Sequence, residues 1–299
     1  MGGELVKAFV FPGQGSQFVG MAKDHYVHNP LVKELFDQAD EALGISLSTI
    51  MFEGPEEQLK QTEFTQAAIY LHSIALFLDR NESPACVAGH SLGEFTALTA
   101  AGVLTFEQGL HLVRKRGMLM QSAGKQMDGT MAAIIGLEDD KVEELCHSVS
   151  STQNLIVSAA NFNSTGQVVI SGTTEGVEQV VERAKTEGAR MAMILPVSGA
   201  FHSELMKPAY EDFKEFLSEV SCKDASIPVY SNVDAKASQS AVELKEKVLQ
   251  QLISPVRWTQ TVKNMMADGV TELVEIGPGK VLQGLAKRID RSLNTQGIQ

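Results

Sequence analysis

The chain has 299 residues, of which 43% are hydrophobic and 21% are charged, so it is long enough for one large apolar core and a second, smaller one. A formal net charge of −12 argues against nonspecific binding of nucleic acid, and no apolar run approaches the roughly 18 residues that a membrane-spanning helix needs. Three widely spaced cysteines form neither a disulfide framework nor a metal-ligand cluster, and the N-terminal segment lacks a signal-peptide pattern, so we expect a cytoplasmic protein with reduced thiols and no bound metal.

The first part of the chain predicts strands that alternate with helices. The strand KAFVF breaks at Pro12-Gly13, and the strand PACVAGH is followed by the helix GEFTALTAAGVL. Helical apolar spacing predicts three more helices, over residues 29–43, 64–80 and 106–122. Thr65 is a candidate cap for the second of these, and Thr105 and Gln108 have capping-box spacing for the third. Such alternation implies a largely parallel sheet that helices cover on both faces.

The order of elements changes near residue 127. From there the chain predicts a strand, a helix, two strands, a helix and a strand, over residues 130–136, 138–149, 154–161, 167–171, 174–187 and 189–197. This β-α-β-β-α-β order is the ferredoxin-like arrangement, and its roughly 70 residues are enough for a subdomain.

After Val197 the earlier alternation resumes, with a predicted helix over 203–219 and the strands IPVYSNV and TELVEIG. We therefore predict an α/β fold with a large α/β-hydrolase-like domain, which has a parallel sheet and is built from residues 1–126 and 198–299. Residues 127–197 form the inserted ferredoxin-like subdomain in this prediction. A cleft between the two units would be a natural place for a functional site.

The segment GHSLG satisfies the G-x-S-x-G pattern and lies between a predicted strand and a predicted helix. In that context the glycines allow a tight turn that presents the hydroxyl of Ser91 to a substrate. The N–H of Leu92, at the start of the helix, would stabilise a developing oxyanion. The alternative is a glycine-rich turn with an incidental serine, and the two correct flanks favour the nucleophile.

A serine nucleophile needs a base, and His202 is the candidate among the seven histidines. It lies in a loop after a strand, where catalytic groups gather, and before a predicted helix, whose N-terminus keeps an imidazole neutral. The alternative is a helix residue without a catalytic role. His90, next to Ser91, is assigned to packing. No acid has a loop setting that suits a third member, so a backbone or amide carbonyl could orient His202, and this weakens a plain esterase interpretation.

Arg116 lies on a predicted helix and has only apolar residues three and four positions away, namely Leu112, Val113, Leu119 and Met120. This pattern predicts that its guanidinium is held against the interior, where it needs an anion or several acceptors. Two explanations stay open. One is an internal ion pair with an acid, and the other is bidentate binding of a substrate carboxylate, which would suit a dicarboxylic acyl group.

The glycine-rich loop FPGQGSQ follows the first strand. Its G-x-G-x-x-G pattern is incomplete and no Walker lysine follows, so a phosphate-binding loop is not favoured. We instead expect the backbone N–H of Gln14 to complete the oxyanion hole.

Eight segments occur in an order that is typical of one enzyme family, namely FPGQGSQ, GHSLGE, RKRG, AANFNSTGQVVISG, VSGAFHS, SNVDA, SPVRW and EIGPGK. Together they resemble the malonyl-CoA:acyl carrier protein transacylases of bacterial type II fatty acid synthesis. The resemblance covers nearly the whole chain, and Gly2–Glu4 look like an extension. The acyltransferase domains of polyketide synthases share the pattern.

The resemblance implies a ping-pong transfer. Ser91 would attack the thioester of malonyl-CoA with His202 as base, and the phosphopantetheine thiol of acyl carrier protein would then attack the malonyl-serine. Gln14 and Leu92 match the family's oxyanion-hole positions, both through their backbone N–H groups.

The resemblance also assigns residues around the nucleophile. Arg116 matches the residue that pairs with the malonyl carboxylate, and Gln251 matches a glutamine whose backbone carbonyl orients the histidine. The bulky ring of Phe201 would crowd an α-methyl branch on the acyl group. The expected cleft residues are Met120, Asn161, Asn163 and Phe201.

The implied partners are malonyl-CoA and acyl carrier protein, with no nucleic acid, no membrane and no cofactor beyond the coenzyme A thioester itself, and we expect a monomer. Acyl carrier proteins are acidic and this chain has a formal net charge of −12, so docking of the carrier would need a local basic patch. The candidates are Lys280, Lys287, Arg288 and Arg190, with a merely solvated face as the alternative.

Two other classes of function stay open. A serine hydrolase on a related fold would pass the acyl group to water and would not need Arg116. A non-catalytic module that docks acyl carriers would not become acylated at Ser91.

Overall fold

The computed structural model describes residues 5–80 and 82–299, so the expectation for Gly2–Glu4 lies outside the described residues. In this part of the chain the strands are β1 (Lys7–Phe11), β2 (Cys86–Gly89), β3 (Gly129–Ile135), β4 (Val157–Ser164), β5 (Gln167–Thr173), β6 (Met191–Ile194), β7 (Val229–Tyr230), β8 (Ala237–Ser238), β9 (Glu272–Ile276) and β10 (Asn294–Ile298). The α-helices are α1 (Lys23–His28), α2 (Pro30–Leu43), α3 (Leu47–Glu53), α4 (Glu56–Leu59), α5 (Thr62–Leu78), α6 (Gly93–Ala100), α7 (Phe106–Gln126), α8 (Asp139–Gln153), α9 (Thr174–Thr186), α10 (Lys207–Ser218), α11 (Ala241–Gln250), α12 (Trp258–Ala267) and α13 (Val281–Ile289). Short 3-10 helices lie at Glu204–Met206 and Gln251–Ile253.

The larger sheet has the strand order β10-β9-β1-β2-β7-β8. Neighbouring strands pair in parallel from β10 to β7, and β8 is antiparallel to β7 at the edge. Phe11 at the end of β1 is in register with Gly89 at the end of β2. The loops that follow these two strands carry Gln14 and Ser91, so both residues leave the sheet at its carboxyl edge and side by side.

The smaller sheet is antiparallel and has the strand order β4-β5-β3-β6, with α8 and α9 packed on it. The element sequence and strand order are those of the ferredoxin-like arrangement. The chain therefore has the predicted α/β fold, in which a parallel-rich, α/β-hydrolase-like sheet accompanies a ferredoxin-like insertion. The domain bounds at 1–126, 127–197 and 198–299 stay predictions.

Buried apolar clusters lie on both faces of the larger sheet. The side chains of β1 alternate between them, since Phe9 and Phe11 join the cluster around α5 and α7, whereas Ala8 and Val10 join the cluster around α12 and α13. A separate cluster fills the space between the smaller sheet and its two helices. Burial on both faces explains why β1 and β2 read as continuous apolar runs.

Backbone hydrogen bonds tie the two sheets together. The N–H of Phe162 in β4 donates to the carbonyl of Val256 (2.9 Å), and the N–H of Val256 donates to the carbonyl of Ala160 (2.8 Å). Thr259 Oγ1 also donates to the carbonyl of Phe162 (3.0 Å). The segment before α12 thus extends the edge of the smaller sheet and fixes it against the larger unit.

The predicted elements occur with shifted ends, and the expectation for Thr65 is wrong. α5 begins at Thr62, two residues earlier than predicted, so Thr65 lies inside the helix. Its buried Oγ1 donates to the carbonyl of Leu59 (2.5 Å). The capping box is confirmed, because Gln108 N donates to Thr105 Oγ1 (3.2 Å) and Thr105 N donates to Gln108 Oε1 (2.9 Å).

Other elements are shorter or differently built than predicted. The strand predicted over 189–197 is confined to β6, and IPVYSNV contributes only the two residues of β7. The helix predicted over 203–219 begins with a 3-10 turn, to which the side chain of Ser203 gives an N-cap by accepting from Leu205 N (3.3 Å).

Close packing requires both glycines of GHSLG. A Cβ on Gly89 would lie 1.8 Å from the backbone of Gly93, and a Cβ on Gly93 would lie 2.1 Å from the carbonyl oxygen of Phe11. Neither approach is compatible with a real side chain, so the strand end and the helix start can meet only as glycines.

We expect Gly89→Ala to lower the free energy of unfolding by at least about 3 kcal/mol, because backbone atoms would have to move to admit the methyl group. Gly284→Ala is the matched control, since Gly284 is exposed in α13 and its Cβ would meet no atom within 4 Å. This control should gain up to about 1 kcal/mol from helix propensity. Thermal unfolding of both variants checks the pair, and a Gly89→Ala protein that melts with the wild type would contradict the packing argument.

Candidate active site

Ser91 lies in the turn between β2 and α6. Its backbone is left-handed (φ 51°), a strained conformation for a residue with a Cβ and one that is typical of a nucleophile turn. The N–H of Ser91 donates to Asn232 Oδ1 (2.7 Å), and Asn232 Nδ2 donates to the carbonyl of Gly89 (2.7 Å). A single, fully buried asparagine side chain therefore bridges the turn and offsets its strain.

Ser91 Oγ and His202 Nε2 lie 2.8 Å apart. His202 Nδ1 lies 2.8 Å from the backbone carbonyl oxygen of Gln251, which can only accept, so the ring proton is on Nδ1 and Nε2 is free to take the serine proton. Burial, followed by the charge of Arg116, lowers the pKa of His202 to about 3. The imidazole is therefore neutral near pH 7, as a general base must be.

A backbone carbonyl occupies the place that an acid holds in many serine–histidine sites. Within the described residues, no carboxylate contacts His202, and the carbonyl of Gln251 is its orienting partner. Gln251 opens the 3-10 helix that follows α11 and is fully buried. The residue pattern alone allows a carbonyl group to orient His202 but does not say which one. Only the family resemblance points to Gln251.

The Arg116 side chain is completely buried on α7. Its Nη1 donates to Gln66 Oε1 (2.9 Å), and its Nη2 donates to Gln251 Oε1 (2.7 Å) and to Ser91 Oγ (3.2 Å). The guanidinium also stacks 5.5 Å from the ring centroid of Phe95. The Ser91 hydroxyl thus contacts an imidazole on one side and a guanidinium on the other.

The internal ion pair that the sequence left open for Arg116 is not formed in the described chain, where its partners are neutral amides and a hydroxyl. Burial lowers the pKa of Arg116 to about 10, so the group stays cationic. Its neighbour on the helix, Arg114, instead forms an ion pair with Glu63 (2.7 Å) near the surface. Arg116 therefore presents a positive charge that no adjacent carboxylate neutralises.

Three buried polar residues complete this network and were not singled out from the sequence, namely Gln66, Asn232 and Glu94. Each carried a usable signal. Gln66 interrupts an apolar run in α5, whereas Asn232 and Glu94 lie in the quoted segments SNVDA and GHSLGE. Glu94 Oε2 accepts from Gln251 Nε2 (2.5 Å) and from Asn232 N (3.3 Å).

A cavity of about 150 Å³ opens in front of Ser91 and His202. One side comes from the larger unit and includes Gln14 and Gln66. The other side comes from the smaller sheet and the segment after it, and it is apolar apart from Asn161. Of the predicted cleft residues, the structure places Met120, Asn161 and Phe201 on the cavity wall.

Asn163 and Leu92 lie beside the cavity rather than on its wall. Asn163 Oδ1 is 2.8 Å from His90 Nε2, and the His90 ring is 5.7 Å from that of Trp258. The packing expected of His90 is therefore present, together with a polar contact from the nucleophile turn to β4. Leu92 is fully buried at the start of α6, directly after Ser91.

Within residues 5–80 and 82–299, no group of three or more His, Cys, Asp or Glu side chains is arranged to hold a metal ion. In the same part of the chain, no helix combines the length and the apolar character that crossing a bilayer requires.

Known proteins match this architecture over nearly its full length. The acyl transferase domain family matches residues 8–296. The malonyl CoA-acyl carrier protein transacylase of Bacillus subtilis (strain 168) is 48% identical to this chain, over 97% of this chain and 92% of that protein. The malonyl CoA-acyl carrier protein transacylase of Escherichia coli (strain K12) is 43% identical, over 97% of this chain and 95% of that protein. Both comparisons agree with the resemblance inferred from the ordered motifs.

Solved structures agree as well. An acyl carrier protein S-malonyltransferase from Vibrio cholerae has a TM-score of 0.95 and 45% identity, over 98% of this chain and 97% of that one. A malonyl-transacylase in complex with a type II PKS acyl-carrier protein has a TM-score of 0.94 and 42% identity, over 98% of this chain and 95% of that one. The chain thus belongs to the acyl transferase family, and within it to the malonyl CoA-acyl carrier protein transacylases.

Proposed function

We propose that this enzyme transfers the malonyl group of malonyl-CoA to the phosphopantetheine thiol of acyl carrier protein through a malonyl-serine at Ser91. The observation that carries the proposal is the position of Ser91 Oγ, 2.8 Å from His202 Nε2 and 3.2 Å from Arg116 Nη2. On one side of the oxygen His202 acts as the base. On the other side lies the guanidinium of Arg116, which no carboxylate contacts in the described chain and which can bind the carboxylate of the acyl group. The names of the relatives support the same substrates.

In the first half-reaction, Ser91 Oγ attacks the thioester carbonyl while His202 Nε2 takes the serine proton. The backbone N–H groups of Gln14 and Leu92 stabilise the oxyanion of the tetrahedral intermediate. When the C–S bond breaks, His202 returns the proton to the leaving sulfur. The products are malonyl-serine and coenzyme A, and the carbonyl of Gln251 holds the ring in the required tautomer throughout.

Arg116 supplies the selection of the acyl group. A malonyl carboxylate would accept two charge-assisted hydrogen bonds from its guanidinium and so would compensate the buried charge. An acetyl group supplies no carboxylate to the guanidinium, so it gains none of this stabilisation. The same contact holds the acyl-serine with its carbonyl toward the oxyanion donors.

In the second half-reaction, the thiol of the carrier's phosphopantetheine gives its proton to His202 and attacks the malonyl-serine. The apolar wall of the cavity disfavours water as a competing acceptor. The four predicted docking residues (Lys280, Lys287, Arg288 and Arg190) are exposed, and none forms an ion pair within the described chain. Their charge therefore stays available to an acidic carrier. Action in the cytoplasm, as a monomer and without a further cofactor, belongs to the same proposal.

Incubation with malonyl-CoA should add one malonyl group to the wild-type enzyme, and Ser91→Ala should abolish this gain in mass. Intact-mass spectrometry followed by peptide mapping measures the modification. Wild-type enzyme that turns over malonyl-CoA without a covalent adduct would contradict the two-step mechanism, and release of free malonate in place of carrier acylation would favour the hydrolase.

Arg116→Ala should reduce kcat/KM for malonyl-CoA by about 10²- to 10⁴-fold, because breaking a buried charge pair costs about 3–5 kcal/mol. Activity on acetyl-CoA should rise relative to malonyl-CoA. Arg114→Ala is the matched control, since it removes a neighbouring arginine whose ion pair with Glu63 is near the surface, and it should leave both activities close to wild type. Equal losses for the two acyl groups in Arg116→Ala would contradict the carboxylate role.

Charge reversal of Lys280 and Arg288 should raise KM for the carrier several-fold at low salt, and the difference should shrink at high salt as screening weakens the attraction. Lys185→Glu, at an exposed lysine of α9 that pairs with Glu182, is the control. The assay starts from preformed malonyl-enzyme so that only the second half-reaction is measured. A salt-independent KM in all variants would place the carrier elsewhere.

A further inference from the structure

Glu94 is a carboxylate buried directly beneath the nucleophile turn. It lies in the first turn of α6 and is 1% exposed. Its Oε2 accepts from Gln251 Nε2 (2.5 Å) and from Asn232 N (3.3 Å), whereas Oε1 has no hydrogen-bond partner in the described chain. An ionised carboxylate with one unsatisfied oxygen is expensive to bury unless a nearby positive charge offsets it.

Arg116 is the positive charge that acts on Glu94, and one side chain separates the two. Gln251 Oε1 accepts from Arg116 Nη2 (2.7 Å) while Gln251 Nε2 donates to Glu94. The amide dipole is thus aligned between cation and anion, with its oxygen toward the arginine. In the resting enzyme ionised Glu94 offsets part of the charge of Arg116 across this bridge, without contacting the guanidinium.

Acylation changes that balance, given the proposed function on which this inference rests. A malonyl carboxylate that pairs with Arg116 brings a second negative charge into a cluster that holds one cation. Burial of an uncompensated carboxylate costs several kcal/mol, and such groups take up a proton instead. We propose that Glu94 is the buried counter-charge of Arg116 and binds a proton from solvent when an acyl carboxylate takes its place.

The electrostatics of the neighbouring groups support this assignment. Burial raises the pKa of Glu94 to about 7, so a modest further loss of positive potential is enough to protonate it near neutral pH. The other titratable groups that face the cluster are Arg116 from α7, His202 from the loop before α10 and His90 from the nucleophile turn. Burial lowers the pKa of both histidines, so they are neutral at pH 7, and Arg116 stays charged.

The chemical step itself consumes no proton near pH 7. The serine proton passes through His202 to the leaving sulfur, and the thiol of coenzyme A stays largely protonated because thiols have pKa values of about 8.5. Any net uptake on acylation therefore reports a protein group. Because the acylated state holds the extra proton, acylation is favoured as pH falls from about 8 to about 6.

The experiment mixes wild-type enzyme with malonyl-CoA in weak buffer and follows a pH indicator by stopped flow, while mass spectrometry counts malonyl-serine. We expect uptake of about half a proton per acylated site at pH 7, since Glu94 is about half protonated beforehand. Uptake should approach zero at pH 5, where Glu94 is already protonated. The Glu94→Gln enzyme should become acylated without proton uptake. Glu275→Gln is the control, because Glu275 in β9 is also 1% exposed, and this variant should take up protons as the wild type does.

The outcomes separate the two proposals. Absence of malonyl-serine in the wild type would overturn the proposed function, and with it this inference. Malonyl-serine without proton uptake at pH 7, or uptake that is the same at pH 5, would overturn the role of Glu94 alone. Uptake that persists in Glu94→Gln would place the proton on another group, such as His202 or the malonyl carboxylate, and would overturn the role of Glu94. The two wild-type measurements decide the matter even where the variant does not fold.

Discussion

The burial of a guanidinium without an adjacent carboxylate is the constraint on which this site depends. Moving an arginine into the interior costs several kcal/mol. The Nη atoms of Arg116 donate to two glutamines and a serine, whereas its Nε has no partner in the described chain, and none of these contacts neutralises the charge. The fold therefore carries a standing positive potential at the nucleophile. Burial, reinforced by that potential, keeps the imidazole of His202 neutral, and the potential favours an anion in the cavity.

Gln251 connects substrate recognition with the base. Its backbone carbonyl orients His202, and its side-chain amide contacts Arg116, Glu94 and the carbonyl of Ser91 (2.9 Å). A displacement of this one residue would alter the base and the cation together. No carboxylate contacts His202 within residues 5–80 and 82–299, and this is consistent with the same electrostatics, because a carboxylate there would weaken the positive potential that Arg116 provides.

Sequence patterns within a single element predict those site residues whose setting depends on that element alone. Ser91 follows from a strand–turn–helix motif, and the burial of Arg116 follows from helical spacing within one element. Gln251 and Asn232 could not be found this way, since their contacts with Ser91 span 160 and 141 residues of chain and exist only after the sheet has formed. The cap expected at Thr65 is wrong because the start of α5 depends on the preceding helix. Only two residues separate the end of α4 from the start of α5, so α5 begins before Thr65.

The two sides of the cavity come from different pieces of the chain. Ser91, His202 and Arg116 belong to elements that pack around the larger sheet, whereas Met131, Val169, Leu195 and Val197 come from the smaller sheet and the segment that leaves it. Substitutions in the second set reshape the chamber without disturbing the reacting groups. If the proposed function holds, natural variation or directed evolution can therefore change which acyl group fits by altering the insertion, with Ser91, His202 and Arg116 left in place.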